Sequence, residues 1–415
     1  MNRFAIVVGI LFSVCAVSCR SSQKISDINF SGLYSVSGLQ PEISVYQEAD
    51  SAASLTIAIN RKELLYKKDD YGSFLAHFRI HIRSFPALKS TTLIDSVSLE
   101  MNDADPENQK PVFCSLKLKT LTHTVFYCLI SVTDINRQQQ FRTWQKVDKT
   151  NRQSRVYFRL TDENGNDKTN PYLRTDEQVK IVSKHEPSEI KVRCYHRNFP
   201  FALPPFAEKV PVQFNYAADS IYSIEYHPGM KLNFPAEGFY HLQFDTAVKA
   251  GLTIFRFNDD FPRITDADKM IESLRYITNN NEYSKLRSAS DKKEAIDRFW
   301  IELSGSRERA RTLIRKYYSR VQQANRLFTT HQEGWQTDRG MIYIVFGPPA
   351  TVYIYQDSEE WGYGTYGYSG TLNFTFEKIY NPFSDNDFVL RRSPFYEQPF
   401  YRAVSRWREG VAEND

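Results

Sequence analysis

Three residue types suited to proton transfer crowd one stretch of the chain: His331, Glu333 and Asp338. An imidazole beside two carboxylates is the usual equipment for general acid–base work, so a hydrolase using Glu333 and Asp338 is one expectation. Ser290-Asp291-Lys292-Lys293 fits S-x-x-K and Ser384-Asp385-Asn386 supplies S-D-N, two elements of penicillin-binding enzymes, but the third, K-T-G, is absent. Gly362-Tyr363-Gly364-Thr365-Tyr366-Gly367 satisfies G-x-G-x-x-G. A strand and not a helix is predicted after it, so no helix N-terminus would receive a pyrophosphate. The same stretch, 361–368, reads as an aromatic hairpin loop, and Trp361, Tyr363, Tyr366 and Tyr368 offer ring faces for a sugar. A glycan- or peptidoglycan-binding module is therefore a second expectation. His77 and His81 share one strand face without H-E-x-x-H or a Cys/His cluster, so neither a metal nor a cofactor is expected.

The cysteines divide by position. Arg3 precedes an apolar run from Phe4 to Val14, and Ala16-Val17-Ser18 places small residues before Cys19. That is the layout of a secretory signal peptide, and the run is shorter than the roughly 20 residues a spanning helix needs. A cysteine after a small residue resembles a bacterial lipobox, which makes Cys19 the expected lipidation site and new N-terminus; two or three acyl chains anchor stably where one does not. Ala16 stands where leucine is commonly found. Arg20-Ser21-Ser22-Gln23-Lys24 carries no acidic run, so the expected location is the outer membrane, lipid-anchored and facing the periplasm. Cys114 and Cys128 lie on the apolar sides of two alternating strands, Cys114-Leu116-Leu118 and Phe126-Cys128-Ile130. If these strands form a hairpin centred on Leu121, the two thiols face each other. A disulfide is then one outcome and two buried free thiols the other. Cys194 is unpaired either way.

Composition narrows the partner classes. With 53 basic and 49 acidic residues the formal charge is +4, and no run of five like charges occurs, which argues against nucleic acid. Aromatics make up 14% of the chain, as expected of a folded, strand-rich protein.

These residues need a scaffold. The length predicts two or three domains. Alternation of period two runs from Phe30 to about Val147, with His81 and its neighbours Arg79 and Arg83 on the polar side, and restarts at Val156. The expected architecture is a signal peptide over 1–18, a tether over 19–29, Ig-like β-sandwich domains over 30–148 and 149–260, and a C-terminal α+β domain over 261–415. The proline-rich segment Phe199 to Pro205 cannot be a central strand; it reads as an edge or crossing segment whose aromatics could serve as a docking strip. Beyond Pro262 the pattern becomes helical. Thr265 with Asp268 is a capping-box-like start, a second helix begins near Asp291, and Ser306 caps a long third one whose seam is Ala310, Ile314, Tyr317, Val321, Ala324 and Phe328. Packing of that seam on the domain's own sheet is expected, with its arginines forming a solvated basic face. A strand over Met341 to Phe346 is predicted next.

Gly334-Trp335-Gln336-Thr337-Asp338, then Arg339-Gly340, an apolar segment and Gly347-Pro348-Pro349, resembles the signature of the GWxTD-domain proteins, a bacterial envelope family. The likeness extends over about Pro262 to Asp415 and implies secreted or lipidated proteins with β-domains ahead of the signature. It brings no reaction. Read as architecture, Gly334 ends the long helix, Trp335 is buried, Thr337 and Asp338 bond nearby backbone amides, Gly340 leads into the strand and Gly347-Pro348 stops it. The leading expectation is a non-enzymatic lipoprotein acting as an accessory or scaffold subunit of an outer-membrane assembly or secretion complex.

Overall fold

The computed structural model describes residues 23–35, 38–208, 214–364 and 371–411. The signal segment and Cys19 lie outside them, as do Tyr366 and Tyr368. Alternating burial builds the first sandwich from β1 (Glu42–Ala49), β2 (Ala52–Ile59), β3 (Tyr66–Lys68), β4 (Phe74–Phe85), β5 (Asp95–Asp103), β6 (Val112–Lys119), β7 (Val125–Asp134) and β8 (Gln139–Asp148). One sheet has the order β1-β2-β6; the other runs β3-β4-β7-β8, with β5 also paired to β4. Between them sit residues such as Leu55, Ile57, Phe78, Ile80 and Ile130, all without solvent exposure. Here the hairpin expectation fails. β6 pairs with β2 and β7 with β4 and β8, so Cys114 and Cys128 belong to opposite sheets and do not face each other across a turn. Both are free, as is Cys194. Burial pushes the Cys114 thiol up to about 11 and the Cys128 thiol to about 12, so both stay protonated at neutral pH.

The second β-domain comprises β9 (Phe158–Thr161), β10 (Val179–Ser183), β11 (Glu189–Tyr195), β12 (Ser220–Glu225), β13 (Met230–Leu232), β14 (Gly238–Gln243) and β15 (Leu252–Arg256), arranged as sheets β13-β10-β9 and β12-β11-β14-β15. Helices then follow: α1 (Ala267–Ser273), α2 (Asn280–Ser288), α3 (Lys292–Ser304), α4 (Arg307–Phe328) and α5 (Asp338–Phe346). The chain closes with the antiparallel sheet β16 (Thr351–Ile354), β17 (Ser358–Tyr363), β18 (Leu372–Lys378), β19 (Phe388–Leu390) and helix α6 (Glu397–Arg408). Among the described residues no helix is long and apolar enough to cross a membrane.

Caps explain the helix starts. Asp291 accepts from the Glu294 amide and Ser306 from the Arg309 amide. The first helix is capped by Asp266, whose carboxylate accepts from the Lys269 amide at 3.0 Å, and not by the predicted Thr265. Along α4 the seam residues Ala310, Tyr317, Val321, Ala324 and Phe328 are buried.

Two expectations change in the C-terminal domain. Met341 to Phe346 is helical and not a strand. Every residue of α5 is buried, and a helix apolar on all sides belongs in a core, where packing overrides the β preference of Ile, Tyr, Val and Phe. The tether also fails over its described part. Ile25, Ile28, Phe30 and Tyr34 are at most 3% exposed and pack into the C-terminal core. The Phe30 amide donates to Val352 O at 2.8 Å, and Asn29 Oδ1 accepts from the Val352 amide at 2.9 Å. Residues 25–34 thus form a strap on edge strand β16, and the sandwich proper begins at β1.

Candidate functional site

The signature forms a one-turn 3-10 helix, Gly334–Gln336, running into α5. The long helix ends earlier than predicted, at Phe328, with Thr329 as its C-cap. Gly334 has a different duty, close approach: a Cβ there would lie 1.9 Å from Ala324 O of α4. Gly340 lies inside α5, and a Cβ on it would meet Gly334 O at 2.0 Å. The two glycines let three backbone segments touch. Thr337 caps α5, its hydroxyl accepting from the Gly340 amide at 3.0 Å and donating to Gly334 O at 2.7 Å. Gly347 has φ 88°, a conformation disfavoured for residues with a side chain, and its carbonyl accepts from Tyr363 Oη at 2.8 Å. Pro348 follows, where a ring that fixes φ cannot extend the helix.

Trp335 is fully buried. Its indole donates to Glu333 Oε2 at 3.1 Å, and Lys269 Nζ holds Glu333 Oε1 at 2.7 Å. Phe201 lies against the indole with ring centroids 5.0 Å apart, and the Ala202 amide donates to Gln336 O at 2.9 Å. The proline-rich segment is therefore a crossing segment whose docking partner is this chain's own C-terminal domain. A second tryptophan repeats the arrangement. Trp361 Nε1 donates to Glu359 Oε1 at 2.6 Å, while Arg339 Nη1 pairs with Glu359 Oε2 at 2.9 Å and Tyr34 Oη also donates to Glu359. Arg339 lies over the rings of Phe328 and Phe388, 5.0 and 4.3 Å from their centroids, and its other nitrogen donates to Asn386 O at 2.7 Å.

Asp338 does not shape its own turn. Its carboxylate accepts from the Leu390 amide at 2.7 Å and takes Arg392 at 2.6 and 3.0 Å, joining α5 to β19. Burial is the main influence on this carboxyl and, outweighing Arg392, holds it above the usual carboxylate range. His331 does not join the two carboxylates. It lies 3.5 Å from Asp387, with the rings of Phe199 and Phe214 edge-on to it. The predicted trio is thus split: Glu333 neutralises Lys269, Asp338 neutralises Arg392, and His331 faces Asp387.

The remaining chemical candidates do not assemble into a site. In the S-x-x-K stretch Lys292 pairs with Asp268, whereas the motif's own lysine, Lys293, is exposed in the first turn of α3. Asn386 of S-D-N braces the end of α4 through Leu327 O at 2.8 Å. Of the aromatic stretch, Trp361 and Tyr363 are core residues of β17. His77 meets Glu100 at 2.7 Å and His81 meets Ser96 at 3.0 Å. Among the described residues no three His, Cys, Asp or Glu side chains converge as metal ligands would.

Sequence reasoning did not find Lys269, Glu359, Arg392 or Tyr34. One signal was available: Glu333-Gly334-Trp335 and Glu359-Glu360-Trp361 share the pattern E-x-W, and in both the indole bonds the carboxylate two residues before it.

Compared with known families, the chain matches the GWxTD domain over residues 238–409 and carries that domain over this span. The match begins at Gly238, so β14 and β15 of the second β-domain fall within it. No curated protein matches. Among solved structures, a β-glucuronidase of Bacteroides uniformis shares 11% identity over 31% of this chain and 15% of its own, with TM-score 0.19. A transglutaminase of red sea bream shares 7% over 52% of this chain and 31% of its own, with TM-score 0.18. This chain thus spans less than a third of either protein, and likenesses this slight bear on neither fold nor activity.

Proposed function

We propose that this protein is a non-enzymatic, lipid-anchored envelope protein, held by Cys19 to the outer membrane and facing the periplasm, that serves as a scaffold or accessory subunit of an outer-membrane assembly or secretion complex. The observation that carries the reading is the state of the signature: Glu333, Asp338 and Arg339 are all buried and all bound to other residues of the chain. Groups fixed in this way brace the C-terminal domain from within, which suits a protein whose surfaces do the work. The hydrolase reading loses support because its two carboxylates are each bound to a cationic side chain, Glu333 to Lys269 and Asp338 to Arg392. Glycan binding loses Trp361 and Tyr363 to the core. Mild crosslinking in native membranes followed by purification and mass spectrometry tests the proposal. A discrete set of envelope proteins is the expected yield; recovery of the chain alone contradicts it.

A further inference from the structure

The strap fixes more than the core. Ile25–Asp27 packs along β16, and the Ser26 amide donates to Leu88 O at 3.2 Å in the loop between β4 and β5. Lys24 lies five positions after Cys19, so an extended chain spans at most about 18 Å between them. The strap start therefore cannot stand far from any surface to which Cys19 is attached. The turn after β16 shares this end of the molecule with the β18–β19 loop: the Lys378 amide donates to Asp357 O at 2.9 Å, and Tyr380 Oη donates to the Asp357 side chain. Here apolar side chains lie open. Tyr380 is 62% exposed, Ile379 39%, and Leu93 of the β4–β5 loop 42%. A tyrosine with its ring exposed and its hydroxyl hydrogen-bonded suits the boundary between headgroups and water.

Resting on the proposed anchor at Cys19, we infer that this end of the molecule, marked by Tyr380, Ile379 and Leu93, lies against the lipid surface, with the β3–β4 turn, at the opposite end of β4 from Leu93, held away from it. The occupant is lipid because the chain between Cys19 and the strap is too short to leave room for a protein layer.

The test uses the mature chain from Cys19, its thiol coupled to a maleimide-headgroup lipid in phosphatidylethanolamine–phosphatidylglycerol vesicles; the other three thiols are buried. Attachment is then enforced whether or not cells lipidate Cys19. Hydroxyl-radical footprinting read by mass spectrometry compares the attached and free protein. The expected result is several-fold slower oxidation of Tyr380, Ile379 and Leu93 on vesicles, with Tyr71 and Phe74 at the β3–β4 turn, both exposed, unchanged. Equal protection of both sets, protection of the β3–β4 turn alone, or no protection at either overturns the inference. The mass of the N-terminal peptide from native membranes reports lipidation separately, so an unmodified Cys19 would defeat the anchor while leaving the footprint to judge the face.

Discussion

Arg392 grips Asp338 at two points, 2.6 and 3.0 Å, across 54 positions of sequence, and both side chains are under 10% exposed. The pair ties the N-terminus of α5 to the end of β19. Removing one partner strands a buried charge, so Asp338→Asn should destabilise the C-terminal domain by about 3–5 kcal/mol, although the amide can still accept from Leu390. Chemical denaturation followed by tryptophan fluorescence measures this; loss below about 1 kcal/mol would place the pair among weak surface contacts.

Trp335→Ala should cost about 3–5 kcal/mol, since it empties a fully buried site and takes a donor from Glu333 Oε2. Limited proteolysis should then cut between 260 and 415 while sparing both β-domains. Unchanged melting with lost function in cells would move Trp335 to a binding role.

The strap makes the N-terminus part of the C-terminal domain. Tyr34 contacts the rings of Phe328 and Trp361 at 5.4 and 5.1 Å and donates to Glu359. Tyr34→Phe should cost about 1–3 kcal/mol by leaving a buried acceptor short of a donor, and Ile28→Ala about 2–5 kcal/mol. Hydrogen exchange should report the loss in α5 and β16–β17, more than 300 positions away.

His241 gives the second β-domain a pH dependence. Burial pushes its imidazole down to about 4; its two nitrogens meet Thr253 Oγ1 and Lys249 O, each at 2.9 Å. The folded state takes the proton only near pH 4, whereas the unfolded chain takes it near its ordinary value of about 6.5. Stability from this site is thus complete above about 6.5 and declines as pH falls toward 4, by roughly 3 kcal/mol in all. Melting curves for the protein and His241→Gln should diverge in slope across that window; parallel slopes would contradict the assignment.

Cys19→Ala should release the protein from outer membranes after a high-salt wash. Retention would mean that the anchor lies elsewhere or that a partner holds the protein.

Much of this architecture can be read from period and punctuation. Alternation from Leu55 to Val132 marks the sandwich, and the seam from Ala310 to Phe328 marks α4, because in both the apolar spacing follows one buried face. Where all faces are buried that signal vanishes, and Met341 to Phe346 reads as a strand though it is a helix. The strap is hidden for another reason: Ile25 and Ile28 sit among polar residues, and only contact with β16, far along the chain, shows what they bury. The site was half legible. Gly334, Trp335 and Thr337 act through neighbours in sequence, whereas Asp338 and Arg339 act through Arg392 and Glu359, and long-range pairing leaves no local pattern.

The central claim, that the signature carboxylate serves architecture and not chemistry, is tested most directly by Asp338→Asn/Arg392→Gln. Removing both charges eliminates the stranded cation while leaving no proton acceptor at position 338. Melting temperature and complementation of a deletion strain should be measured together for the single and double variants. The account expects the double variant to recover at least half of the lost stability and to restore function with it. A double variant that melts like the native protein and localises correctly yet fails to complement would contradict the account and return Asp338 to catalysis.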